Sequence, residues 1–344
     1  MKIRNKILIL NSLIIALCGC TMPNMDDDDS SSYSTTTTTE SSTSSSDSSS
    51  SSSEDPTATT ETDPTDTTDP TDPTEPTTPP TPPTPGGLYD NCDAAIASHS
   101  LSGLWDAVKV AANTNYSKGS YDGLYTWYAS TDKRADGYLN DYYSNITNYT
   151  FNKSDQCGNY SKEGDCYNRE HTIPQSWWGG GTNNQGCDVY IVLPTDGKIN
   201  GIRSNYPLGE TNGSSKDSAG HYSKFGTSNF DGYSGSVFEV NDRWKGDFAR
   251  IYFYALTKWN DVSFTQDSQH NGKIVFQEGT TRNASNNFGL TSYAVALFKK
   301  WHKQDPVDDW ELARNNAAAS KQGNRNPYID HPEYADYLWC DKPI

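Results

Sequence analysis

Apolar residues along this chain fall into three regimes. Between Ile7 and Leu17 they are nearly continuous. From Asp26 to Gly86 they are almost absent. From Leu88 onward they recur at the spacings of secondary structure. In this last regime Ser102 caps a predicted helix that runs through Ala112, with Leu104, Trp105, Val108 and Ala111 as its apolar stripe. Tyr121 to Tyr128 is aromatic and fits either a helix or a strand, whereas Tyr138 to Tyr143 predicts a short strand. Ser144 to Ser161 is polar and reads as a loop. Tyr167 to Ile173 predicts a strand into a turn, stopped by Pro174. Trp177 to Gly186 is a glycine-rich loop with an aromatic start. Asp188 to Pro194 has the β-branched content of a buried strand ended by proline. Asp196-Gly197 then leads into a helix around Asn200.

Further on, Phe248, Ile251, Tyr252, Ala255, Leu256 and Trp259 share one helical face, as do Leu290, Ala294, Leu297, Phe298 and Trp301. Asp305 as cap, with Pro306 in the first turn, predicts a helix to about Lys321. Strands gather in the first half and helices in the second. The expected class is α+β, in a mixed, helix-rich single domain over 87–344.

The other two regimes read as export and spacing. Lys2, Arg4 and Lys6 precede the apolar run, which is too short for an ordinary membrane-spanning helix. Residues 1–20 therefore predict a signal peptide. Its end, Leu17-Cys18-Gly19-Cys20, resembles the lipobox of bacterial lipoproteins, which implies a lipid on Cys20 and anchoring at a membrane surface. A plain secretory signal is the alternative. Residues 21–86 are dominated by Ser, Thr, Asp, Glu and Pro, and cannot bury enough apolar surface to offset chain entropy. They predict an extended stalk with a reach of up to ~180 Å.

The stalk also explains the charge. Of 44 acidic residues, 14 lie in 26–86, where there is no Lys or Arg. Removing these and the three basic residues of the signal leaves 24 basic against 30 acidic residues. The folded part carries about −6 rather than −17. A phosphate-binding site must therefore collect its positive groups locally. Cys92, Cys157, Cys166, Cys187 and Cys340 remain in the exported part, where disulfides are permitted. Cys157–Cys166 is the favoured pair and Cys92–Cys340 a weaker one. No paired short spacing suggests zinc.

The candidate chemistry lies at Arg169-Glu170-His171 and Asn200-Gly201-Ile202-Arg203-Ser204-Asn205. A neutral His takes a proton near ambient pH. A carboxylate and an amide carbonyl suit Mg²⁺, which prefers few protein oxygens and completes its shell with water or phosphate. Adjacent strand residues point to opposite faces, so Glu170 and His171 converge only where a strand ends. Together with Asp188, Leu193-Pro194, Val237-Phe238-Glu239, Lys245 to Arg250 and Asn324 to Glu333, these motifs resemble the bacterial endonuclease I family, over roughly Ser102 to Trp339.

The resemblance implies a ββα-metal (His-Me) finger and cleavage of DNA, often RNA too, to 5′-phosphate ends without sequence preference. It implies His171 as general base, Glu170 and Asn200 as ligands of Mg²⁺ or another divalent cation, and catalytic support from Arg203. Arg169 and Asn205 become substrate contacts. It implies no obligate protein partner and a monomer. Trp177 and Trp178 are open to base stacking or to walling the site. Arg250 with Asp247, and Arg314 with Asp308 or Glu311, read as structural ion pairs. One departure stands out: Tyr190 and Ile191 occupy positions that are polar in the family, so the partner that orients His171 is either missing or replaced by a backbone carbonyl. A stalked nucleic-acid-binding module of weakened activity is the alternative.

Overall fold

The computed structural model describes residues 87–178, 183–264 and 272–344. The expected signal peptide, the stalk and Cys20 lie outside these residues. Among the described residues, no helix is long and apolar enough to cross a membrane.

Three helices come first: α1 (Asp90–Ala97), α2 (Leu101–Asn113) and α3 (Gly123–Thr131). Next are β1 (Tyr167–His171), α4 (Gln175–Trp178), β2 (Val192–Asp196) and α5 (Gly197–Arg203). A second ribbon, β3 (Lys224–Thr227) and β4 (Ser236–Glu239), leads into α6 (Lys245–Lys258). The chain ends in α7 (Ser292–Gln304), α8 (Asp309–Gln322), α9 (Pro327–Asp330) and α10 (Glu333–Trp339). Both sheets are two-stranded and antiparallel. The class is α+β as expected, but helices open the domain as well as close it.

All residues of α6 are buried, its charged ones included. It packs against α2 and α7. A helix wrapped on all sides keeps its charges only if they are paired. Lys245 meets Glu239 at 2.7 Å, and Arg250 meets Glu311 at 2.5 Å and Asp247 at 3.4 Å. Glu311 is thereby taken, and Asp308 caps α8 by accepting from Glu311 N. Arg314 pairs instead with Asp132 at 2.8 Å and donates to the Val189 carbonyl. This corrects the expected Arg314 pairing. The cap of α8 also lies three residues later than expected.

Three further expectations shift. The cap of α2 is Ser100, not Ser102. Tyr138 to Tyr143 forms no strand, because its N–H groups go to separate partners: Leu139 to the Tyr149 carbonyl, Asn140 to Asp132, and Tyr143 to the Asp141 side chain. The strand expected from Asp188 starts only at Val192. The Asp188 carbonyl accepts from both Ile191 and Val192 N–H, and its side chain accepts from Tyr190 N–H, which makes a turn. Pro194 lies inside β2, opposite Arg169. A two-stranded ribbon tolerates it, because one side of each strand carries no ladder.

Cys157 and Cys166 form the favoured disulfide, with Cα atoms 4.9 Å apart. It closes a short loop, which in the chain-entropy model stabilises the fold by about 2–3 kcal/mol. The double replacement Cys157→Ser/Cys166→Ser is expected to lower the thermal midpoint by roughly 5–10 °C; an unchanged midpoint in calorimetry would refute this. Cys92 and Cys340 are both free, against the weaker expectation. Cys92 sits against Tyr334 in the first turn of α10, whereas Cys340 follows its last turn. About 9 Å of helix separates those positions, beyond disulfide reach.

His302 is buried between Arg250, 3.3 Å from its Nδ1, and Asp336, 3.5 Å from its Nε2. Burial, and then the Arg250 charge, depress its pKa to about 4. The unfolded chain binds this proton near pH 6.5, so stability is expected to fall as pH drops from 6.5 towards 4, by about 3 kcal/mol over the window. Denaturant titrations of wild type and His302→Gln at pH 7 and pH 4.5 test this. Equal pH sensitivity of the two proteins would sink it.

Candidate active site

The β1–β2–α5 segment places the candidate residues. Glu170 pairs with Leu193 and His171 with Val192 across the ribbon, and α5 packs on both strands. Asp196 ends β2 and caps α5 by accepting from Ile199 N–H. Gly197 opens α5 because nothing larger fits there: a Cβ would stand 2.3 Å from Cys157 Sγ. The disulfide therefore holds the start of the helix against the neighbouring loop.

Glu170, His171, Asn200, Arg203, Arg169 and Asn205 all line one open cleft of about 330 Å³. Tyr121, Tyr160 and Gln175 complete its walls. β1 ends at His171, so the strand's alternation does not keep the two side chains apart.

Glu170 is 2% exposed. Its Oε1 accepts from the Tyr143 hydroxyl at 2.7 Å and lies 3.0 Å from Arg203 Nη1. Burial raises its pKa, while Arg203 and Tyr143 pull it back. Arg203 is 1% exposed. It donates to the carbonyls of His171 at 3.0 Å and Thr172 at 2.5 Å. The Tyr252 hydroxyl donates to the same Thr172 carbonyl at 2.8 Å. Arg203 therefore clamps the end of β1 and neutralises Glu170 from behind. Ser204, directly after α5, holds a φ of 49°, unusual for an L residue, and Asn205 follows it into the cleft wall.

The Nε2 of His171 lies 3.1 Å from the Gly186 carbonyl. A carbonyl only accepts, so Nε2 carries the proton and Nδ1 keeps its lone pair. Gln175 Nε2 stands over the ring edge, 3.0 Å from Nε2 and 3.2 Å from Nδ1, and Tyr121 stacks on the ring at 5.6 Å. Burial depresses the His171 pKa to about 4, so the ring is neutral at pH 7. Tyr190 is directed away: its hydroxyl donates to Asn315 Oδ1 at 2.8 Å. The Ile191 carbonyl accepts from Thr172.

Arg169 stacks on Tyr121 at 3.5 Å and Tyr125 at 4.3 Å, and pairs with Asp122 at 2.9 Å. Trp177 and Trp178 are buried against Phe276 and Phe264, which removes them from base stacking. His331 stacks on Tyr334. Sequence reading missed Tyr143, Gln175 and Tyr252, and a backbone carbonyl at His171 was an open alternative without Gly186 being named. Each lies in another segment, and no local pattern marks it.

The donor set suits a hard divalent cation. Glu170 and Asn200 offer oxygens on one cleft, and both contacts found at Glu170 fall on Oε1. Among the described residues, no three His, Cys, Asp or Glu side chains gather to cage a metal. Two protein oxygens, completed by water and phosphate, match the habits of Mg²⁺.

Three relatives are informative. An extracellular ribonuclease of Bacillus subtilis (strain 168) is 33% identical over 175 residues, covering 50% of this chain and 54% of the relative. An extracellular deoxyribonuclease of Aeromonas hydrophila is 26% identical over 180 residues, covering 47% and 64%. An endonuclease-1 of Buchnera aphidicola subsp. Acyrthosiphon pisum (strain APS) is 27% identical over 143 residues, covering 41% and 44%. The chain spans about half the length of the curated relatives it matches. The Endonuclease I family profile matches residues 105–333, well over half of the chain and all of the cleft. This chain belongs to the Endonuclease I family.

Proposed function

We propose that the chain is an exported, divalent-metal-dependent endonuclease that hydrolyses phosphodiester bonds of DNA and RNA to 5′-phosphate ends without sequence preference. The observation that carries this reading is the neutral His171, with one nitrogen held by a carbonyl, sharing a cleft with the oxygens of Glu170 and Asn200. His171 Nδ1 takes the proton of the attacking water, and the Gly186 carbonyl fixes the ring's tautomer. Glu170 and Asn200 would hold Mg²⁺ or a similar cation, which would supply charge neutralisation of the phosphate and of the leaving 3′ oxygen. Arg203 is a positioning residue that keeps Glu170 charged and β1 in place. Arg169 and Asn205 face the substrate backbone. The names of the Bacillus and Aeromonas relatives support both nucleic acids as substrates and a location outside the cytoplasm. The β1–β2–α5 unit supports a ββα-metal assignment.

The full chain is expected to cut plasmid with Mg²⁺ and to stop with EDTA; intact plasmid at micromolar protein would refute the reading. Replacing Cys20 by Ser is expected to move the protein out of the membrane fraction. Unchanged fractionation would overturn lipid anchoring, and the activity reading would stand.

A further inference from the structure

Arg169 lines two concavities. One is the cleft with Glu170 and His171; the other is a larger groove of about 680 Å³ that includes Tyr125, Phe151, Lys153 and Gln156. The two are joined by a continuous stack. Tyr121 lies over the His171 ring at 5.6 Å, the Arg169 guanidinium lies 3.5 Å from the Tyr121 ring, and Tyr125 follows at 4.3 Å. A strand leaving the scissile phosphate along this stack enters the groove.

The groove wall is built rather than loose. Asp155 accepts from Thr150 N and Oγ1, both at 2.7 Å, and so fixes the turn that carries Phe151 and Lys153. Cys157 N–H donates to the Tyr167 carbonyl at 2.9 Å, and the Cys157–Cys166 disulfide ties the same edge to β1. Phe151 and Tyr125 are half-buried against the core, and Lys153 is exposed. Aromatic faces beside a cation form a platform for unpaired bases with their phosphates. The bases of a duplex cannot reach such a platform without unstacking. The one acid at the rim, Asp122, is 95% exposed and pairs with Arg169. The Arg169 side chain is itself only 13% exposed, so the solvent-facing carboxylate is the half of the pair that an incoming phosphate displaces.

We infer that this groove holds the unpaired nucleotide next to the scissile bond, with Phe151 stacking on its base and Lys153 on its phosphate. The groove therefore favours single-stranded or locally opened nucleic acid over intact duplex. This rests on the endonuclease reading of the adjoining cleft, and binding is measured apart from cutting. The full chain in EDTA is titrated against a fluorescein-labelled 12-nucleotide single strand, and against its blunt duplex, by anisotropy. The single strand is expected to bind more tightly. Phe151→Leu, which keeps apolar volume and removes the ring, is expected to weaken that binding roughly tenfold. Lys153→Ala, at an exposed position, is expected to reduce the slope of log K against log salt by about 0.7.

Duplex binding as tight as single-strand binding, no binding by wild type, or wild-type behaviour of both variants would each overturn the groove assignment. A wild type that binds the strand but leaves both the strand and plasmid uncut with Mg²⁺ refutes the endonuclease reading alone. One that cuts plasmid while both variants bind normally refutes the groove alone.

Discussion

His171→Ala is expected to lower plasmid cleavage by about 10²–10⁴-fold, the usual contribution of a positioned general base. The size follows from the geometry of the ring. Its Nε2 is held by the Gly186 carbonyl, its face is stacked on Tyr121, and burial keeps it neutral, so its lone pair is ready at neutral pH. Removing the ring takes away the proton acceptor and leaves the oxygens of Glu170 and Asn200 in the cleft. Added imidazole should then restore part of the activity in His171→Ala, because a soluble base can enter the vacated space. It should restore nothing in Glu170→Ala, where the missing group is the proposed metal ligand. Cleavage by His171→Ala within tenfold of wild type would remove His171 from the base role. Rescue of Glu170→Ala by imidazole would remove the division of labour.

The largest expected effect on stability is at Arg203. Truncation to alanine leaves Glu170 charged and buried with only the Tyr143 hydroxyl, and strips a donor from the carbonyls of His171 and Thr172. Breaking one side of a buried ion pair typically costs about 3–5 kcal/mol. Arg203→Ala is therefore expected to lose about that much in denaturant titrations, and its activity with it. The double variant Glu170→Gln/Arg203→Met removes both charges. It is expected to recover much of the stability and none of the activity. A single variant within 1 kcal/mol of wild type would show that the pair is not braced as the distances indicate. A double variant that cuts plasmid would show that Glu170 is not needed for the chemistry.

Local signals in the chain were strong where one residue acts on its own backbone. The helical stripes that became α2, α6 and α7 came from periodicity alone. The Cys157–Cys166 pair was expected because it closes the loop just before the site. Signals failed where a segment's polar groups are shared among distant partners. Tyr138 to Tyr143 is short and aromatic like a strand, yet its N–H groups serve Asp132, Tyr149 and Asp141 rather than a neighbouring strand. Asp188 to Ile191 has strand composition, but a buried Asp188 side chain, held by Gln322 and Tyr254 far along the chain, folds it into a turn. Glu311 was open to Arg314 by sequence proximity. The wrapped position of Arg250 on α6 made Glu311 the more necessary partner there, and Asp132 took Arg314.

The sequence by itself determined the export-and-stalk layout as an expectation, the α+β class and the six residues that meet at the cleft. Residue type and spacing are enough for these, because a strand end at His171 and a capped helix from Gly197 leave those side chains little choice of direction. Only the tertiary structure decided what surrounds them. Tyr143, Gln175, Tyr252 and the Gly186 carbonyl reach Glu170, His171 and Thr172 through packing that no local pattern encodes. Arg203 became a buried clamp because the core closes over it, and Trp177 and Trp178 became wall for the same reason. Desolvation is a property of the assembled fold, and it keeps the His171 ring neutral and makes Glu170 a charge that must be shared with Arg203.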